Sequence, residues 1–240
     1  ARPAALRLRA MTHDLYIGDR MFSSWSLRGW LMLERFGLPY RTHLVGLYAG
    51  TMASDLASLA PARLVPALRL ANGTVVGESM AMAETLAETY PDSGLWPTDP
   101  TQRATARWLC AEMASGFSAL RGECPMQLLR RYEGYSPSEP VRRDLARLET
   151  IWSHARAISG AADGWLFGDY SLTEAFFAPV AIRALGYGLP LSEGARAYCE
   201  ALVRDPATVK WHQLAYQVKY DPEPYLLDLP STPWTPPDAS

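Results

Sequence analysis

The chain has 240 residues, of which 48% are hydrophobic and 20% are charged, and its formal net charge is −2. This composition is typical of globular proteins, and the length allows one large domain or two small ones. Because there is no basic excess, no nucleic-acid partner is expected. No apolar run approaches the ~20 residues that a membrane span requires, so no membrane association is expected either.

The cysteines and histidines indicate neither a disulfide framework nor a metal site. The three cysteines, Cys110, Cys124 and Cys199, lie far apart and form no C-x-x-C pair. The four histidines are equally scattered, so no two of them stand at metal-ligand spacing. We therefore expect no metal, and free cysteines fit a reducing, cytoplasmic location best.

Residues 1–11 are interpreted as a leader or extension outside the fold. The first ten residues hold Arg2, Arg7 and Arg9 but no acidic residue. They also lack the apolar core of a secretory signal.

Seven elements of alternating type predict a small α/β domain over residues 12–91. They are strand 14–18, helix 25–36, strand 40–45, a short helix near 52–59, strand 67–70, strand 74–76 and helix 79–90. Gly37 and Pro39 end the first long helix, and Asn72-Gly73 predicts the tight turn of a hairpin. The order β-α-β-α-β-β-α is that of a compact α/β unit.

A second, all-helical domain is predicted over residues 100–221, after a turn-rich linker at 92–99. Helical patterns cover 100–121, 138–158, 171–185 and 192–203. The third of them opens with a capping box, Ser171-Leu172-Thr173-Glu174. Residues 222–240 contain six prolines, so this tail cannot be helical and is expected to run extended over the surface or to be disordered.

The most informative stretch is Ser23-Ser24-Trp25-Ser26-Leu27-Arg28, where the first strand gives way to the first helix. A hydroxyl at a helix start can cap the helix. It can also donate a hydrogen bond to an anion that the helix dipole favours. For a bound thiolate, such a bond lowers the thiol pKa. The residues alone leave both interpretations open.

Together with two further segments, this stretch resembles the soluble glutathione transferase family. Residues 23–28 are similar to the Ser-Ser-Cys-x-x-Arg signature of the zeta class and the Ser-Pro-Phe-x-x-Arg signature of the tau class. Residues 59–68 are similar to the family's Asn-Pro-x-Gly-x-Val-Pro-x-Leu, and residues 78–86 to its Glu-Ser-x-x-Ile-x-x-Tyr-Leu. The resemblance covers about residues 14–210 and implies a thioredoxin-like α/β domain followed by an all-helical domain.

The resemblance implies that glutathione is the co-substrate. Ser23 would donate its hydroxyl to the glutathione sulfur, with Ser24 as the alternative donor. Val65, held by a cis peptide bond to Pro66, would pair through its backbone with the cysteinyl part.

The γ-glutamyl end would bind at the start of the last helix of the α/β domain. There the hydroxyl of Ser79 and free backbone N–H groups would hold its carboxylate, and Glu78 its ammonium.

The chain also departs from the family pattern. Arg63 and Leu64 replace the family's glycine and its usual basic residue, so a cationic contact to the glycyl carboxylate is missing or is supplied by Arg63. Trp25 occupies the position of the zeta-class cysteine, and residues 116–122 lack the zeta-class glutamines. Arg28 is expected to be a structural ion-pair partner or a source of positive potential.

The second substrate is expected to bind between the two domains. An apolar lining there predicts a small hydrophobic electrophile. The candidate lining residues, each of which could equally pack between the domains, are Met21, Phe22, Trp25, Trp108 and Met113.

The predicted function is therefore conjugation of the glutathione thiolate to such an electrophile, in a cytoplasmic homodimer that serves detoxification. A glutathione-dependent isomerase of the maleylacetoacetate type, a dehalogenase and a non-catalytic binding or regulatory protein remain alternatives. Thiol–disulfide exchange is disfavoured because residues 20–26 contain no cysteine.

Overall fold

The computed structural model describes residues 12–217 and 222–236. The predicted leader, residues 1–11, lies outside the described residues, as do 218–221 and 237–240.

The first part of the chain forms a four-stranded sheet with helices packed around it. Its elements are β1 (His13–Ile17), α1 (Ser24–Glu34), β2 (Tyr40–Leu44), α2 (Met52–Asp55), a 3-10 turn (Ala57–Leu59), β3 (Ala67–Arg69), β4 (Val75–Val76) and α3 (Ser79–Thr89). The strand order is β2-β1-β3-β4, with β1 parallel to β2 and antiparallel to β3, and β3 antiparallel to β4. The predicted β-α-β-α-β-β-α order is confirmed.

The second part is mainly helical. After a 3-10 turn (Pro91–Ser93) it contains α4 (Pro100–Ser115), α5 (Ser118–Glu123), β5 (Arg130–Tyr132), α6 (Glu139–Ser159), α7 (Leu172–Gly186), α8 (Glu193–Arg204), α9 (Pro206–Gln217) and β6 (Ser231–Pro233). Nearly every residue of α7 is buried, so this helix is the centre of the second domain. Helix α1 packs against it, which joins the two domains through one continuous hydrophobic core.

Three further contacts fix the domains against each other. The rings of Trp30 on α1 and Trp211 on α9 lie 5.3 Å apart, and the indole N–H of Trp211 donates to the carbonyl of Arg20 at 2.8 Å. Arg35, just after α1, forms an ion pair at 2.8 Å with the buried carboxylate of Asp205. Helix α9, which the sequence analysis did not predict, therefore carries an important part of the domain interface.

The other differences also lie in the second domain. The helix predicted over 100–121 breaks at Gly116 and Phe117, because Phe117 adopts a left-handed conformation (φ 57°) before α5 begins. The tail was expected to run extended over the surface or to be disordered, and residues 222–236 do follow an extended, largely exposed course, but they are packed on the second domain in a way that was not predicted. There β6 pairs antiparallel with β5, and Trp234 is only 4% exposed.

Helix α7 starts at the predicted capping box. The buried carboxylate of Glu174 accepts hydrogen bonds from the Ser171 N–H (2.8 Å), the Ser171 hydroxyl (2.9 Å) and the Leu166 N–H (3.1 Å). One carboxylate thus satisfies the donors of the loop that leads into the central helix.

We expect Glu174→Gln to lower the free energy of unfolding by about 3 kcal/mol, because an amide places donors opposite donors in a buried network. Denaturant unfolding followed by circular dichroism measures this. The matched control is Glu139→Gln in the first turn of α6, where the carboxylate is exposed and 3.8 Å from Arg143. There the loss should stay below about 1 kcal/mol. Equal losses in the two variants would contradict a special role of the buried carboxylate.

Candidate active site

Ser23 caps helix α1 at the point where the chain leaves β1. Its Oγ accepts a hydrogen bond from the Ser26 N–H (3.3 Å), while its hydroxyl proton is donated to the Ser26 Oγ (2.7 Å). The Ser26 Oγ in turn accepts from the Gly18 N–H at 2.9 Å. The capping interpretation is thus correct, and the Ser23 proton has an acceptor inside the protein.

The three motifs of the sequence analysis meet around one cavity of about 390 Å³, which we call the helix-start cavity. It lies between the starts of α1 and α3 and the residues that lead into β3. Its lining includes Ser23, Trp25, Leu64, Val65, Pro66, Glu78 and Ser79. The expected cis peptide bond between Val65 and Pro66 is present, and the Ala60–Pro61 bond is also cis.

Arg63 does not line the helix-start cavity. It borders a separate depression of about 310 Å³ on the far side of Leu64. Leu64 itself is 58% exposed and apolar. The helix-start cavity therefore lacks an arginine or lysine among its lining residues.

The start of α3 differs from the expectation of free backbone donors. Glu78 caps this helix, and its Oε2 accepts from the N–H groups of Met80 (2.7 Å) and Ala81 (3.2 Å). The hydroxyl of Ser79 donates to the Glu78 Oε1 at 3.0 Å. The Met80 and Ala81 donors are thus already occupied, and a bound carboxylate would have to share this helix start with Glu78.

A second cavity of about 610 Å³ opens on the other side of Ser23 and Trp25, and we call it the arginine cavity. Ser23 and Trp25 line both cavities. The first domain also contributes Phe22, Ser24 and Tyr48, and the second contributes Arg121 and Arg183. It therefore lies between the domains, where the second substrate was expected.

Three guanidinium groups gather around this cavity. Arg183 is buried and donates to the carbonyls of Cys124 (2.8 Å) and Pro179 (3.2 Å) and to the Ser24 Oγ (3.3 Å). Arg121 is half-buried and donates to two carbonyls at the end of α4. Arg28 is 1% exposed, and its Nε and Nη1 have no hydrogen-bond partner among the residues that the structure describes.

None of these three arginines forms an ion pair within residues 12–217 and 222–236. Burial, then repulsion from Arg183 and Arg121, lowers the pKa of Arg28 to about 9. Burial, then repulsion from Arg121, lowers the pKa of Arg183 to about 10. All three remain cationic at neutral pH, so positive charge lies in and behind the cavity wall without an ion pair to a described carboxylate.

The sequence offered two roles for Arg28. Arg28 forms no ion pair among the described residues, so the role as a structural ion-pair partner is wrong there, whereas a role as a source of positive potential agrees with the structure. Its guanidinium lies 4.3 Å from the ring centroid of Trp25, and that of Arg121 lies 4.9 Å from the same centroid. Cation–π attraction lets one indole ring hold two like charges at the junction of the two cavities.

The remaining candidates are dispersed. Phe22 lines the arginine cavity, and Ser24 lines it as well but does not reach the helix-start cavity. Met21 and Met113 are buried in the core. Trp108 is 47% exposed and packs against His154 on α6, with ring centroids 5.5 Å apart. None of these last three lines either cavity.

Sequence reasoning missed Arg121, Arg183, Tyr48 and Tyr225 as lining residues of the arginine cavity. For two of them, the sequence contains a feature that could have identified them. Arg121 stands in the segment where the zeta-class glutamines were absent. Arg183 interrupts an otherwise apolar stretch of α7, and a charge inside a helix that is apolar all round must have a partner or a function.

Residues 22–89 match the family described as Glutathione S-transferase, N-terminal domain. The chain is 32% identical to a probable maleylacetoacetate isomerase of Caenorhabditis elegans over 182 residues, which are 74% of this chain and 81% of that protein. It is 30% identical to a maleylacetoacetate isomerase of Pseudomonas aeruginosa over 74% of this chain and 84% of that protein.

The chain belongs to the glutathione transferase family. A crystal structure of a glutathione transferase homologue from Burkholderia with bound glutathione superposes with a TM-score of 0.63 at 25% identity, over 87% of this chain and all of that one. Ure2p in complex with S-hexylglutathione shares the fold at 18% identity, with a TM-score of 0.64 over 85% of this chain and 99% of that one. The predicted thioredoxin-like and helical architecture of a glutathione transferase is thus confirmed.

Two features are absent from the described part of the chain. Residues 12–217 and 222–236 contain no cluster of three or more His, Cys, Asp or Glu side chains that could hold a metal ion. They also contain no helix that combines the length and apolarity needed to cross a bilayer.

We expect Arg28→Met to leave the free energy of unfolding unchanged or to raise it by about 1 kcal/mol, because it removes a buried charge without an ionic partner. The matched control is Arg35→Met, which strips Asp205 of its ion pair. That change should cost about 3 kcal/mol, because a buried carboxylate is left behind. Urea unfolding of both variants tests the pair, and a loss above about 2 kcal/mol for Arg28→Met would mean that its charge is compensated.

Proposed function

We propose that this glutathione transferase family member activates the glutathione thiol at Ser23 and adds it to an electrophile held in the arginine cavity. The observation that carries the proposal is that Ser23 lines both cavities, with the three motifs on one side and the interdomain space on the other. A sulfur atom bound beside Ser23 would therefore face the second substrate.

The energetics of thiol activation are within reach of this site. A free thiol has a pKa near 8.5, and a decrease of two units requires about 2.7 kcal/mol of preference for the thiolate. A hydrogen bond to a charged acceptor supplies about 1.5–3 kcal/mol, and the start of α1 adds about 0.3–1 kcal/mol. The proton that Ser23 now gives to Ser26 would turn to the sulfur, while its oxygen continues to accept from the Ser26 N–H.

The charge of the arginine cavity favours an acidic second substrate over the hydrophobic electrophile that the sequence suggested. Arg121 and Arg183 line the cavity, and Arg28 adds its field from behind Trp25. A carboxylate would neutralise this charge in a partly desolvated space, where ionic interactions are strong. This supports the isomerase alternative, in keeping with the names of the two curated relatives.

In such an isomerisation the thiolate adds to one carbon of a cis double bond conjugated to a carbonyl. The π electrons move onto the carbonyl oxygen, the former double bond rotates, and the returning electrons expel the thiolate from the trans product. Glutathione is regenerated. In a transferase reaction the new C–S bond remains and glutathione is consumed.

The two outcomes are separated by counting free thiols during turnover. With maleylacetoacetate as the probe, product formation without loss of thiol would favour the isomerase, and stoichiometric loss of thiol the transferase. Absence of turnover together with tight glutathione binding would favour the non-catalytic alternative. Homodimer assembly, cytoplasmic location and a role in detoxification stay predictions.

We expect Ser23→Ala to raise the pKa of bound glutathione by one to two units and to lower turnover about 10- to 100-fold, with little change in glutathione affinity. Thiolate absorbance across a pH series measures the pKa, a turnover assay measures the rate, and titration calorimetry measures the glutathione affinity. Because the substitution also removes a helix cap, the control is Ser138→Ala at the start of α6, whose Oγ accepts from the Val141 N–H at 3.3 Å. Both variants should lose about 1 kcal/mol of stability, but Ser138→Ala should keep its activity. Full turnover in Ser23→Ala would reject the assignment.

We expect Arg121→Met to reduce the preference for an acidic group on the sulfur. The probes are S-(3-carboxypropyl)glutathione and S-butylglutathione, which differ in a terminal carboxylate. Loss of one charged hydrogen-bond donor should lower the affinity ratio of the two about tenfold or more. Arg147→Met is the control, because Arg147 pairs with Glu112 on the surface and lines neither cavity. An unchanged ratio in Arg121→Met would count against an acidic substrate.

A further inference from the structure

The C-terminal segment, residues 222–236, returns from the second domain to the mouth of the arginine cavity. One end is anchored by Trp234, whose ring lies 5.5 Å from that of His212 and 4.7 Å from the Arg131 guanidinium. A Cβ added at Gly186 would lie 3.1 Å from the Trp234 ring, so α7 accommodates this indole closely. The pairing of β6 with β5 continues the anchor.

The other end is fixed by polar contacts. Glu223 forms an ion pair with Arg130 at 2.9 Å and accepts from the Gln127 side chain at 3.2 Å. The carbonyl of Tyr225 accepts from the Tyr132 hydroxyl at 3.1 Å and from Gln127 at 3.4 Å. These contacts hold the backbone of Tyr225 to the second domain.

The side chain of Tyr225, by contrast, reaches the first domain. Its ring meets those of Phe22 and Tyr48 edge to face, each at a centroid distance of 5.9 Å. Its hydroxyl is hydrogen-bonded to the hydroxyl of Tyr48. Phe22 immediately precedes Ser23, and all three aromatic residues line the arginine cavity. The ring therefore bridges the two domains beside the sulfur position.

We propose that Tyr225 is a specificity-determining residue, which closes the arginine cavity and limits the length of the group that the sulfur can carry. This rests on the proposed function, because it takes the arginine cavity as the place of the second substrate. Two hydrogen bonds to the Tyr225 carbonyl, together with the ion pair and the hydrogen bond of the Glu223 side chain, give the ring a fixed position. Edge-to-face contacts on two sides resist its displacement. The Tyr225 ring thus forms a fixed boundary of the arginine cavity.

The test is titration calorimetry of the full chain with glutathione and with S-propyl-, S-hexyl- and S-nonylglutathione. In the unaltered chain, affinity should rise with alkyl length and then fall when the chain reaches the Tyr225 ring. In Tyr225→Ala the fall should disappear, so that the ratio of nonyl to propyl affinity increases about tenfold or more. Glutathione itself should bind both proteins equally.

Three further variants sharpen the test. Tyr225→Leu, which keeps an apolar side chain in the segment, should give an intermediate shift and covers the case that the alanine variant does not fold. Tyr225→Phe keeps the ring and should retain the length profile of the unaltered chain. Tyr216→Ala, an exposed tyrosine on α9 that lines neither cavity, is the matched control.

The outcomes separate the two proposals. An unchanged length profile in folded Tyr225→Ala or Tyr225→Leu would overturn the role of Tyr225 and leave the proposed function intact. Failure of the unaltered chain to bind glutathione would overturn the proposed function and this inference with it. A similar shift of the length profile in Tyr216→Ala would show that the effect comes from a general loss of stability, and would also reject the proposed role of Tyr225.

Discussion

Positive charge without a described ionic partner is the constraint on which the site between the domains depends. Arg28, Arg121 and Arg183 share one interior region, and burial together with mutual repulsion lowers the pKa of the first and the third. Such an arrangement opposes folding, because each buried charge loses hydration that is only partly replaced by contacts in the protein. It persists because carbonyl oxygens and the Trp25 ring supply partial compensation. The charge left over is available to a bound anion.

The domain interface tolerates the repulsion among these arginines because other contacts stabilise the interface away from them. The packing of Trp30 on Trp211 and the ion pair of Arg35 with Asp205 lie at the side where α1 meets α9. Close to that ion pair, where the Arg35 guanidinium lies 4.4 Å from the Tyr170 ring, the capping box of Glu174 fixes the start of α7, the helix that carries Arg183. Stability and the electrostatics of the site are therefore supplied by different residues, as is common where a functional site costs folding energy.

The sequence predicted the structure correctly where that structure depends on residues close together in the chain. Strand and helix periodicity, the Asn72-Gly73 turn and the three motifs are each contained within a few residues, and the α/β domain followed them closely. The capping box at Ser171 is equally local. The Asp205-Pro206 pair that starts α9 is also a helix-start pattern, and Asp205 indeed accepts from the Ala207 N–H at 3.0 Å.

What the sequence did not predict depends on contacts between distant parts of the chain. Arg121 and Arg183 are 62 positions apart, and only the tertiary fold brings Arg121 to Trp25 and Arg183 to Ser24. The pairing of β5 with β6 spans about a hundred residues, so the prolines of the tail indicated an extended chain but not what it packs on. Tyr225 reaches the site by this same long-range pairing.

The position of the arginines relative to Ser23 bears on how the site could activate a thiol. On the helix-start side, Leu64 stands where the family pattern has a basic residue, and Arg63 points to a separate depression. On the other side, guanidinium groups line the wall. Because Ser23 belongs to both cavities, a sulfur beside it would experience positive potential mainly from the side of the second substrate. That potential would stabilise a thiolate before the reaction and, in an addition to a conjugated acid, the negative charge that moves onto the substrate as the C–S bond forms. Under the proposed function, charge on this side would therefore act on the reacting atoms, whereas charge on the helix-start side would act only on glutathione binding.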